Sequence, residues 1–392
     1  MVRSDRRYRL VPKGCAAGSG FGAVMFAAAI TGAGLLAATV CLWHGRPAEA
    51  AAPGPVLPDE MTRDIVESID KGLTYLANTQ RRDGSWTGSA SYRGYSAVLT
   101  SLAGMAMLAN GSTPQSGPYS RNVTRAMNFV LSQARSSDGL IASPGTGRPM
   151  YGHGFSMLFL AQCYGMELTP EKEKQIHDVL TKAIQLTVQS QSDLGARLDH
   201  AGGWYYTPMA RTDEGSVTVT QLQALRACRN AGIVVPKSCI DRTVAYLRYC
   251  QMPTGGICYS AYSQDEGRPA ISAAALACFY SAGVYDRQAG GVGSEAEMVE
   301  RLWNFTRGRI DMSEDFRDVW GHFFYAHFYY AQAQYIRGGE EWSEYYKAIT
   351  RKLMQEQRPD GSWTGGVGSS YRTAIACIIM QLPYGYLPIC QR

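Results

Sequence analysis

The sequence predicts an all-α protein in which six helical hairpins close into a ring. Three observations support this fold class. An amphipathic helix that ends at a glutamine recurs along the chain, and a more apolar helix rich in small residues follows each copy. Glycine, proline and aspartate separate these segments, as helix ends require. With 392 residues, 45% of them hydrophobic and 18% charged, the chain has enough apolar material for a large core.

The repeated unit is clearest at two positions far apart in the chain. Residues 71–86 read KGLTYLANTQRRDGSW, and residues 346–363 read YKAITRKLMQEQRPDGSW. We expect the glutamine amide to cap the carbonyl end of its own helix or the start of the next, and the indole to pack on the adjoining repeat. A sixth unit without its glutamine is predicted at 296–308. The helix-ending glutamines are Gln80, Gln133, Gln191, Gln251 and Gln357.

The second helix of each hairpin is apolar and crowded with small residues. The segment ISAAALACFYSAG at 271–283 is typical, and such residues let helices approach closely. A lone hairpin could not bury its apolar face, so ring closure supplies the missing neighbour. We therefore expect the apolar set inside and the amphipathic set outside. The predicted inner helices are 95–108, 154–164, 216–231, 270–282, 320–336 and 373–384.

The N-terminal segment has the features of a targeting sequence. Residues 1–50 are predicted to be a signal peptide or N-terminal membrane anchor, 51–60 a linker, and 61–388 the repeat domain. A basic stretch at 1–13 precedes an uncharged run at 21–43, which is long enough to span a bilayer, and Ala48-Glu49-Ala50 fits a cleavage site. Positive charge on the N-terminal side predicts an exported chain, periplasmic or extracytoplasmic, and anchored by 21–43 if the segment is retained.

Charge and cysteine usage narrow the classes of partner and cofactor. Residues 1–50 carry most of the net charge of +5, so no nucleic-acid partner is expected. No C-x-x-C pair or Cys/His cluster with zinc spacing occurs, so no metal or cofactor is expected. In an oxidising compartment Cys228 could pair with Cys239, or Cys250 with Cys258, since each pair flanks a short turn. The alternative is that these cysteines are small buried side chains.

The repeat KGLTYLANTQRRDGSW resembles the QW motif of the prenyltransferase and squalene-oxidase repeat family, which includes the squalene-hopene cyclases. The resemblance runs from about Arg63 to Leu387. The segments at 150–166, 202–233 and 329–349 further resemble single-domain, exported bacterial members. The resemblance implies an (α/α)6 toroid of the terpenoid cyclase and protein prenyltransferase type. It does not fix an activity, because one fold hosts many functions.

The sequence departs from this family in ways that bear on catalysis. Squalene-hopene cyclases have two toroids, whereas this chain has room for one. Their protonating D-x-D-D motif has its nearest counterpart in Thr212-Asp213-Glu214-Gly215, which offers two adjacent acids. The D-D-x-x-D motif of other terpene synthases is absent, and no zinc-ligand set of the protein prenyltransferase type is found.

In a toroid, the N-termini of all inner helices face one end, where their dipoles favour negative charge. Residues just ahead of these helices should form a polar, aromatic rim over an apolar cavity, which is the default form of a binding site. Within that rim, we select Asp213 and Glu214 as candidate proton donors. The candidate ligand-binding residues are Arg93, Tyr95, His153, His322, Tyr325, Tyr371 and Arg372; Asp265, Glu266 and Asp318 belong to the same rim.

Each candidate also has a structural explanation. The acids are well placed as helix N-caps, and His153, between two glycines, fits a structural imidazole equally well. His322 and His327 are five residues apart and do not share a helical face, so a two-histidine metal site is not expected. Arg93 and Arg372 come from the first and last repeats and could pair with the acids or bind an anionic head group.

Three functions follow from this reading. The first is an exported toroid that binds an apolar, isoprenoid-like ligand or a protein partner. The second is a terpene cyclase or mutase in which Asp213 or Glu214 donates a proton and tyrosine π faces screen the cation. The third is a polysaccharide lyase or hydrolase with paired carboxylates. A closed apolar chamber would favour the isoprenoid, an open tryptophan- and acid-lined groove the sugar, and a filled centre a scaffold.

Overall fold

The computed structural model describes residues 57–166, 169–192, 202–210, 212–263, 265–281, 294–313 and 322–391. Residues 56–392 form one compact unit. The predicted N-terminal segment, most of the linker, and Asp318 lie outside the described residues. Within those ranges, no helix combines the length and the apolar character that crossing a membrane requires.

The described ranges contain twelve α-helices that alternate between an outer and an inner ring. Successive inner helices contact each other, and the last contacts the first, so the ring closes. This confirms the predicted all-α toroid of six hairpins. The outer helices are α1 (Arg63–Thr79), α3 (Ser120–Ser132), α5 (Pro170–Gln189), α7 (Lys237–Tyr249), α9 (Ser294–Arg307) and α11 (Gly339–Glu356). The inner helices are α2 (Ser96–Ala109), α4 (Pro149–Cys163), α6 (Gly215–Asn230), α8 (Pro269–Ser281), α10 (His322–Arg337) and α12 (Ser369–Met380).

Burial separates the two rings as the sequence predicts. Every residue of α2 after Ser96 is buried, as expected for a helix that is apolar all round. The outer helix α1 instead buries one face, including Ile69 and Leu73. Small residues allow close contact inside the ring: a Cβ on Gly104 of α2 would lie 2.5 Å from the ring of Phe159 in α4.

The repeated glutamines connect neighbouring hairpins. The amide nitrogen of Gln80 donates to the carbonyl of Gly84 in its own turn and to that of Asn122 in α3, the next outer helix. The expected cap is therefore a bridge between a turn and the following repeat. Equivalent bridges are made by Gln191, Gln251 and Gln357.

The repeated tryptophans cap the outer helices. The indole N–H of Trp86 donates to the carbonyl of Leu76 at 2.9 Å, in the last turn of α1. Trp204 and Trp363 make the same bond in their own repeats. Trp363 also reaches the next outer helix, since a Cβ on Gly72 would lie 3.1 Å from its ring. The indole thus packs on the adjoining repeat, as expected, and also satisfies a helix end.

The last repeat joins the first through this same set of contacts. The amide of Gln357 donates to the Ser68 carbonyl in α1, and the Ser68 hydroxyl donates back to the Gln357 amide oxygen. Gly361 adopts a φ of +86°, and a Cβ there would lie 2.3 Å from the carbonyl oxygen of Lys71. The turn can approach α1 this closely only because it carries a glycine.

The centre of the ring is filled below the first turns of the inner helices. Phe155 of α4 and Phe328 of α10, on opposite sides of the ring, have centroids 6.4 Å apart. Farther down, the amide of Gln223 in α6 donates to the Gln332 amide oxygen in α10 at 2.7 Å. Above these contacts, the described residues leave open space toward the N-terminal ends of the inner helices.

The C-terminal segment closes the opposite end. A short 3₁₀ helix at Pro388–Cys390 packs against α6 and α10. The backbone N–H of Ile389 donates to the side-chain oxygen of Gln162 in the last turn of α4, and Leu387, Ile389 and Cys390 are buried. In the described part of the chain, this segment therefore covers the end of the ring opposite the N-termini of the inner helices.

Candidate functional site

A cavity of about 600 Å³ opens at the N-terminal ends of the inner helices. All six inner helices contribute to its wall, and so do the loops that precede them. This is the end of the ring at which the sequence analysis places the candidate rim. The floor is apolar and is formed by Leu99, Phe155, Ile271, Phe328 and Ile375.

Tyrosines dominate the wall above this floor. The hydroxyls of Tyr206 and Tyr259 are hydrogen-bonded at 2.5 Å, and the Tyr151 hydroxyl is bonded to the Ser216 hydroxyl at 2.5 Å. Because these hydroxyls bond to protein groups, the rings present mainly apolar and π surface to the cavity. The seven tyrosines of the wall are Tyr92, Tyr95, Tyr151, Tyr206, Tyr259, Tyr325 and Tyr371.

Three arginines add positive charge at the mouth. The Arg148 guanidinium lies over the Tyr206 ring at 4.3 Å and makes no ion pair within the described part of the chain. Arg268 lies over the Tyr259 ring at 5.8 Å and pairs with Asp265 at 2.7 Å. Arg309 also lines the cavity. The mouth therefore offers an exposed guanidinium next to an aromatic wall.

Glu214 is the buried carboxyl of the cavity wall. Its side chain caps α6, since Oε2 accepts from the backbone N–H of Val217 at 2.8 Å. Only 1% of the residue is exposed, and this burial raises the pKa of the carboxyl, although hydrogen bonds from Ser216 and Val217 act in the opposite sense. A carboxyl that holds its proton to higher pH than usual can serve as a general acid.

Asp213, the other candidate proton donor, faces away from the cavity. Its Oδ1 accepts from the Tyr246 hydroxyl at 2.6 Å and from the backbone N–H of Ala261 at 2.9 Å. It is not among the cavity-lining residues. Glu214 has extended backbone angles, and adjacent residues in extended chain point to opposite sides. The two acids therefore do not converge.

His153 has the structural role that the sequence analysis gives as the alternative. Its Nδ1 accepts from the backbone N–H of Ile141, and Nε2 faces the Ala183 carbonyl and the Thr187 hydroxyl. Burial lowers its pKa to about 4, so the ring is neutral. It does not line the cavity.

The remaining candidates divide between the cavity and other places. Tyr95, His322, Tyr325 and Tyr371 line the cavity. Arg372 is fully buried, with its guanidinium 5.0 Å from the centroid of Phe324, and is not part of the wall. Arg93 lies at a separate surface pocket lined by Arg81, Asp83 and Gln133, among others. The two arginines of the first and last repeats thus do not meet in the cavity.

Several wall residues were not singled out from the sequence, although a repeated motif marks two of them. Gly147-Arg148-Pro149 and Gly267-Arg268-Pro269 each begin an inner helix. Proline suits the first position of a helix, because it needs no N–H there. Each arginine is thereby placed at the mouth, just ahead of its helix. Other polar or aromatic wall residues that were not singled out include Tyr206, Tyr259, Arg309 and Asp311, and His327 was weighed in the sequence analysis as a metal ligand.

The described residues contain no cluster of three histidine, cysteine or acidic side chains that could hold a metal ion. His327 is held by other groups: its Nδ1 is bonded to the Tyr345 hydroxyl and its Nε2 to the Asp311 carbonyl. Burial lowers the pKa of His327 to about 4.

Comparison with known proteins identifies the architecture. No family model and no curated protein matches the chain. The type II terpene cyclase MstE from Scytonema, solved with geranylgeranyl dihydroxybenzoate, matches at a TM-score of 0.52 and 15% identity over 83% of this chain and 98% of the other. The chain has a terpene-cyclase-like α/α toroid fold.

Glycoside hydrolases share this architecture. An inactive variant of an α-1,6-mannanase from Salegentibacter, with two consecutive aspartates replaced by asparagine and solved with α-1,6-mannotriose, matches at a TM-score of 0.60 and 9% identity, over 84% of this chain and 100% of the other. A family 76 glycoside hydrolase from Bacteroides thetaiotaomicron matches at 0.57 and 10% identity, over 82% and 78%. At these identities the likenesses establish the fold alone.

Proposed function

We propose that this toroid binds a largely apolar ligand with an anionic group, in the cavity at its open end. The observation that carries the proposal is the layering of the cavity: an apolar floor, a wall of seven tyrosines, and arginines at the mouth. Concave apolar sites with a few well-placed polar groups are typical of small-molecule binding. We further propose that the chain acts outside the cytoplasm, as its N-terminal segment predicts.

The layering suggests how such a ligand would lie. Its apolar body would contact Phe155 and Phe328 at the floor, where little polar surface needs to be desolvated. Its anionic group would reach Arg148, whose guanidinium forms no salt bridge in the described part of the chain and whose charge also acts on the Glu214 carboxyl. A charge-assisted hydrogen bond at that position would add affinity and fix the orientation of the ligand. The ligand bound to MstE, an isoprenoid chain joined to a benzoate, has this general composition.

A sugar fits the cavity less well. Among the described lining residues none is a tryptophan, and the carboxylates are Glu214 and Asp311. Asp311 is exposed, and its Oδ1 accepts from the backbone N–H of Ser313. The wall is therefore mainly apolar and aromatic and has no second buried acid beside Glu214 among the described lining residues. This composition favours an isoprenoid-like ligand over a polysaccharide.

Catalysis is a second candidate, supported by Glu214. It is the buried acid of the wall, and burial raises its pKa, so it can carry a proton into an otherwise apolar cavity. In a cyclase or mutase reaction, the carboxyl would give this proton to an alkene, whose π electrons form the new C–H bond. The tyrosine faces would stabilise the resulting cation. Asp213 would take no direct part, because it faces Tyr246.

Binding can be tested with two prenyl probes of the same chain length, geranylgeranoic acid and geranylgeraniol, by titration calorimetry. We expect the acid to bind more tightly, and Arg148→Gln to weaken its binding about 10-fold while leaving the alcohol little changed. Arg93→Gln is the matched control, since Arg93 lies outside the cavity, and should bind both probes as the wild type does. Equal affinities for acid and alcohol, or equal effects of the two variants, would contradict the proposal.

Two further measurements address the natural ligand and catalysis. Mass spectrometry of lipids that copurify with the intact chain should detect an acidic isoprenoid. Gas chromatography of reactions with geranylgeranoic acid would reveal cyclised products. If they form, Glu214→Gln should abolish them and Asp213→Asn should not; undiminished cyclisation by Glu214→Gln would exclude the second candidate.

A further inference from the structure

The turn between α7 and α8 brings two cysteines face to face. Gln251 and Ile257 form an antiparallel bridge, and the backbone N–H of Cys258 donates to the Cys250 carbonyl at 2.9 Å. Cys250 and Cys258 therefore occupy the adjacent paired position, with side chains on the same face of the hairpin. Directly opposed residues of antiparallel segments have Cα atoms about 4.5–5.5 Å apart. That separation lies within the range of disulfide-linked cysteines.

Both side chains of the pair are buried, and the Cys258 thiol donates to the Ser260 carbonyl at 3.1 Å. The interaction between the two thiols raises the pKa of Cys250 and lowers the pKa of Cys258. Cys258 is therefore the better nucleophile of the pair, since the thiolate is the reactive form.

This cysteine pair lies directly behind the cavity wall. The backbone N–H of Cys250 donates to the Tyr246 carbonyl at 2.9 Å, the Tyr246 hydroxyl donates to Asp213, and Asp213 also accepts from the backbone of Ala261. Tyr259 follows Cys258 and lines the cavity, and its carbonyl accepts from the first backbone N–H of α6 at 2.8 Å. A bond across the turn would therefore fix the segment that positions Tyr259.

We propose that Cys250 and Cys258 form a disulfide that staples this turn and the cavity wall attached to it. The oxidant is a small-molecule or protein disulfide. The Cys258 thiolate attacks it and displaces one of its sulfurs as a thiolate; the Cys250 thiolate then attacks Cys258 Sγ and displaces the other. Two thiol protons are released and two electrons pass to the oxidant, which leaves as two thiols. Exchange takes place when the turn opens locally, because both sulfurs are buried.

The other pair that flanks a short turn does not share this arrangement. Cys228 belongs to α6 and Cys239 to α7, and no backbone bridge pairs their segments in the described ranges. The Cys239 thiol instead contacts Arg242. Burial raises the pKa of Cys228 to about 12, which keeps it protonated and unreactive. This pair therefore serves as the internal control.

The test is a redox titration of the folded full chain. The protein is equilibrated over a series of ratios of reduced to oxidised glutathione until the result no longer changes with time, then acid-quenched, denatured and alkylated. Peptide mapping by mass spectrometry should show a Cys250–Cys258 cross-link at oxidising ratios, with Cys228 and Cys239 alkylated throughout. Alkylation of both Cys250 and Cys258 at every ratio, or a cross-link from either of them to another cysteine, would overturn the proposal.

Thermal unfolding supplies a second readout. The melting temperature of the oxidised chain should fall by about 3–4 °C on reduction, given the short loop that the bond closes. The double variant Cys250→Ala/Cys258→Ala should lose this dependence on reductant, whereas Cys228→Ala/Cys239→Ala should retain it. A wild type whose melting temperature is the same in both buffers would contradict the staple even if a cross-linked peptide were detected.

Discussion

The close approach of each glutamine turn to the next outer helix can be tested with a matched pair of glycine substitutions. Gly361 and Gly145 both adopt a left-handed backbone, with φ of +86° and +76°. A Cβ on Gly361 would lie 2.3 Å from the Lys71 carbonyl oxygen, whereas a Cβ on Gly145 would meet nothing within 4 Å. The change to alanine therefore has the same backbone cost at both sites and a steric cost at only one.

The expected magnitudes follow from these contacts. The left-handed conformation costs an alanine about 1–2 kcal/mol, which is the whole effect expected for Gly145→Ala. In Gly361→Ala the turn must also move away from α1. That movement would disrupt the bonds from Gln357 to Ser68 and to the Gly361 carbonyl, each worth about 1 kcal/mol. We expect a total loss of about 4–5 kcal/mol.

Guanidinium unfolding of the full chain, followed by its helical circular dichroism, measures both variants. The unfolding free energies can be compared if the dependence on guanidinium concentration, the m-value, is the same in both variants as in the wild type. If Gly361→Ala does not accumulate in folded form, Ser68→Ala removes one bond of the same closure without a clash, and should cost about 1 kcal/mol. Equal midpoints for Gly361→Ala and Gly145→Ala would refute the argument that the turn is held against α1.

Three other outcomes are expected. Because the pKa of Glu214 is raised in the folded state, the carboxyl stabilises the fold below its ordinary pKa near 4.5, and this stabilisation is lost as the pH rises through the folded-state pKa. The free energy of urea unfolding should therefore vary less between pH 4 and 7 in Glu214→Gln than in the wild type. The pKa of His153 is instead lowered to about 4, so the neutral ring stabilises the fold fully above pH 6.5. This stabilisation falls by about 3 kcal/mol as the pH drops toward 4. In His153→Gln, unfolding should take up about one proton fewer in this range, and a pH dependence of the unfolding free energy equal to that of the wild type would refute the structural role of His153. Removal of residues 387–392 should lower the free energy of unfolding by about 3–6 kcal/mol in the same assay, because the buried side chains of Leu387, Ile389 and Cys390 are lost. A loss under 1 kcal/mol would show that the C-terminal segment is dispensable for stability.

The fold could be predicted because its signals are local and repeated. Each glutamine turn marks the end of an outer helix, and the apolar helices after these turns can be buried only in a shared centre. Even the unit without a glutamine, now α9, followed from spacing alone. The sequence predicted that Gln80 satisfies a backbone group near its own helix end, but not its bond to Asn122, because Asn122 belongs to another repeat.

The site could be predicted in position but only partly in composition. The rim follows from the geometry of parallel inner helices, so Tyr95, Tyr325 and Tyr371 were found. The directions of the side chains could not be predicted in this way. Asp213 and Glu214 are adjacent in sequence yet point to opposite sides, because Glu214 has an extended backbone and caps α6. That reversal depends on backbone angles, which residue types alone do not specify.

The 3₁₀ helix at Pro388–Cys390 restricts how a ligand of the proposed kind could reach the cavity. Because this helix covers the end opposite the cavity in the described part of the chain, such a ligand would enter and leave through the same opening. A second molecule of the ligand could then bind after the first had dissociated, and a partner that delivers or removes the ligand would have to bind at that opening.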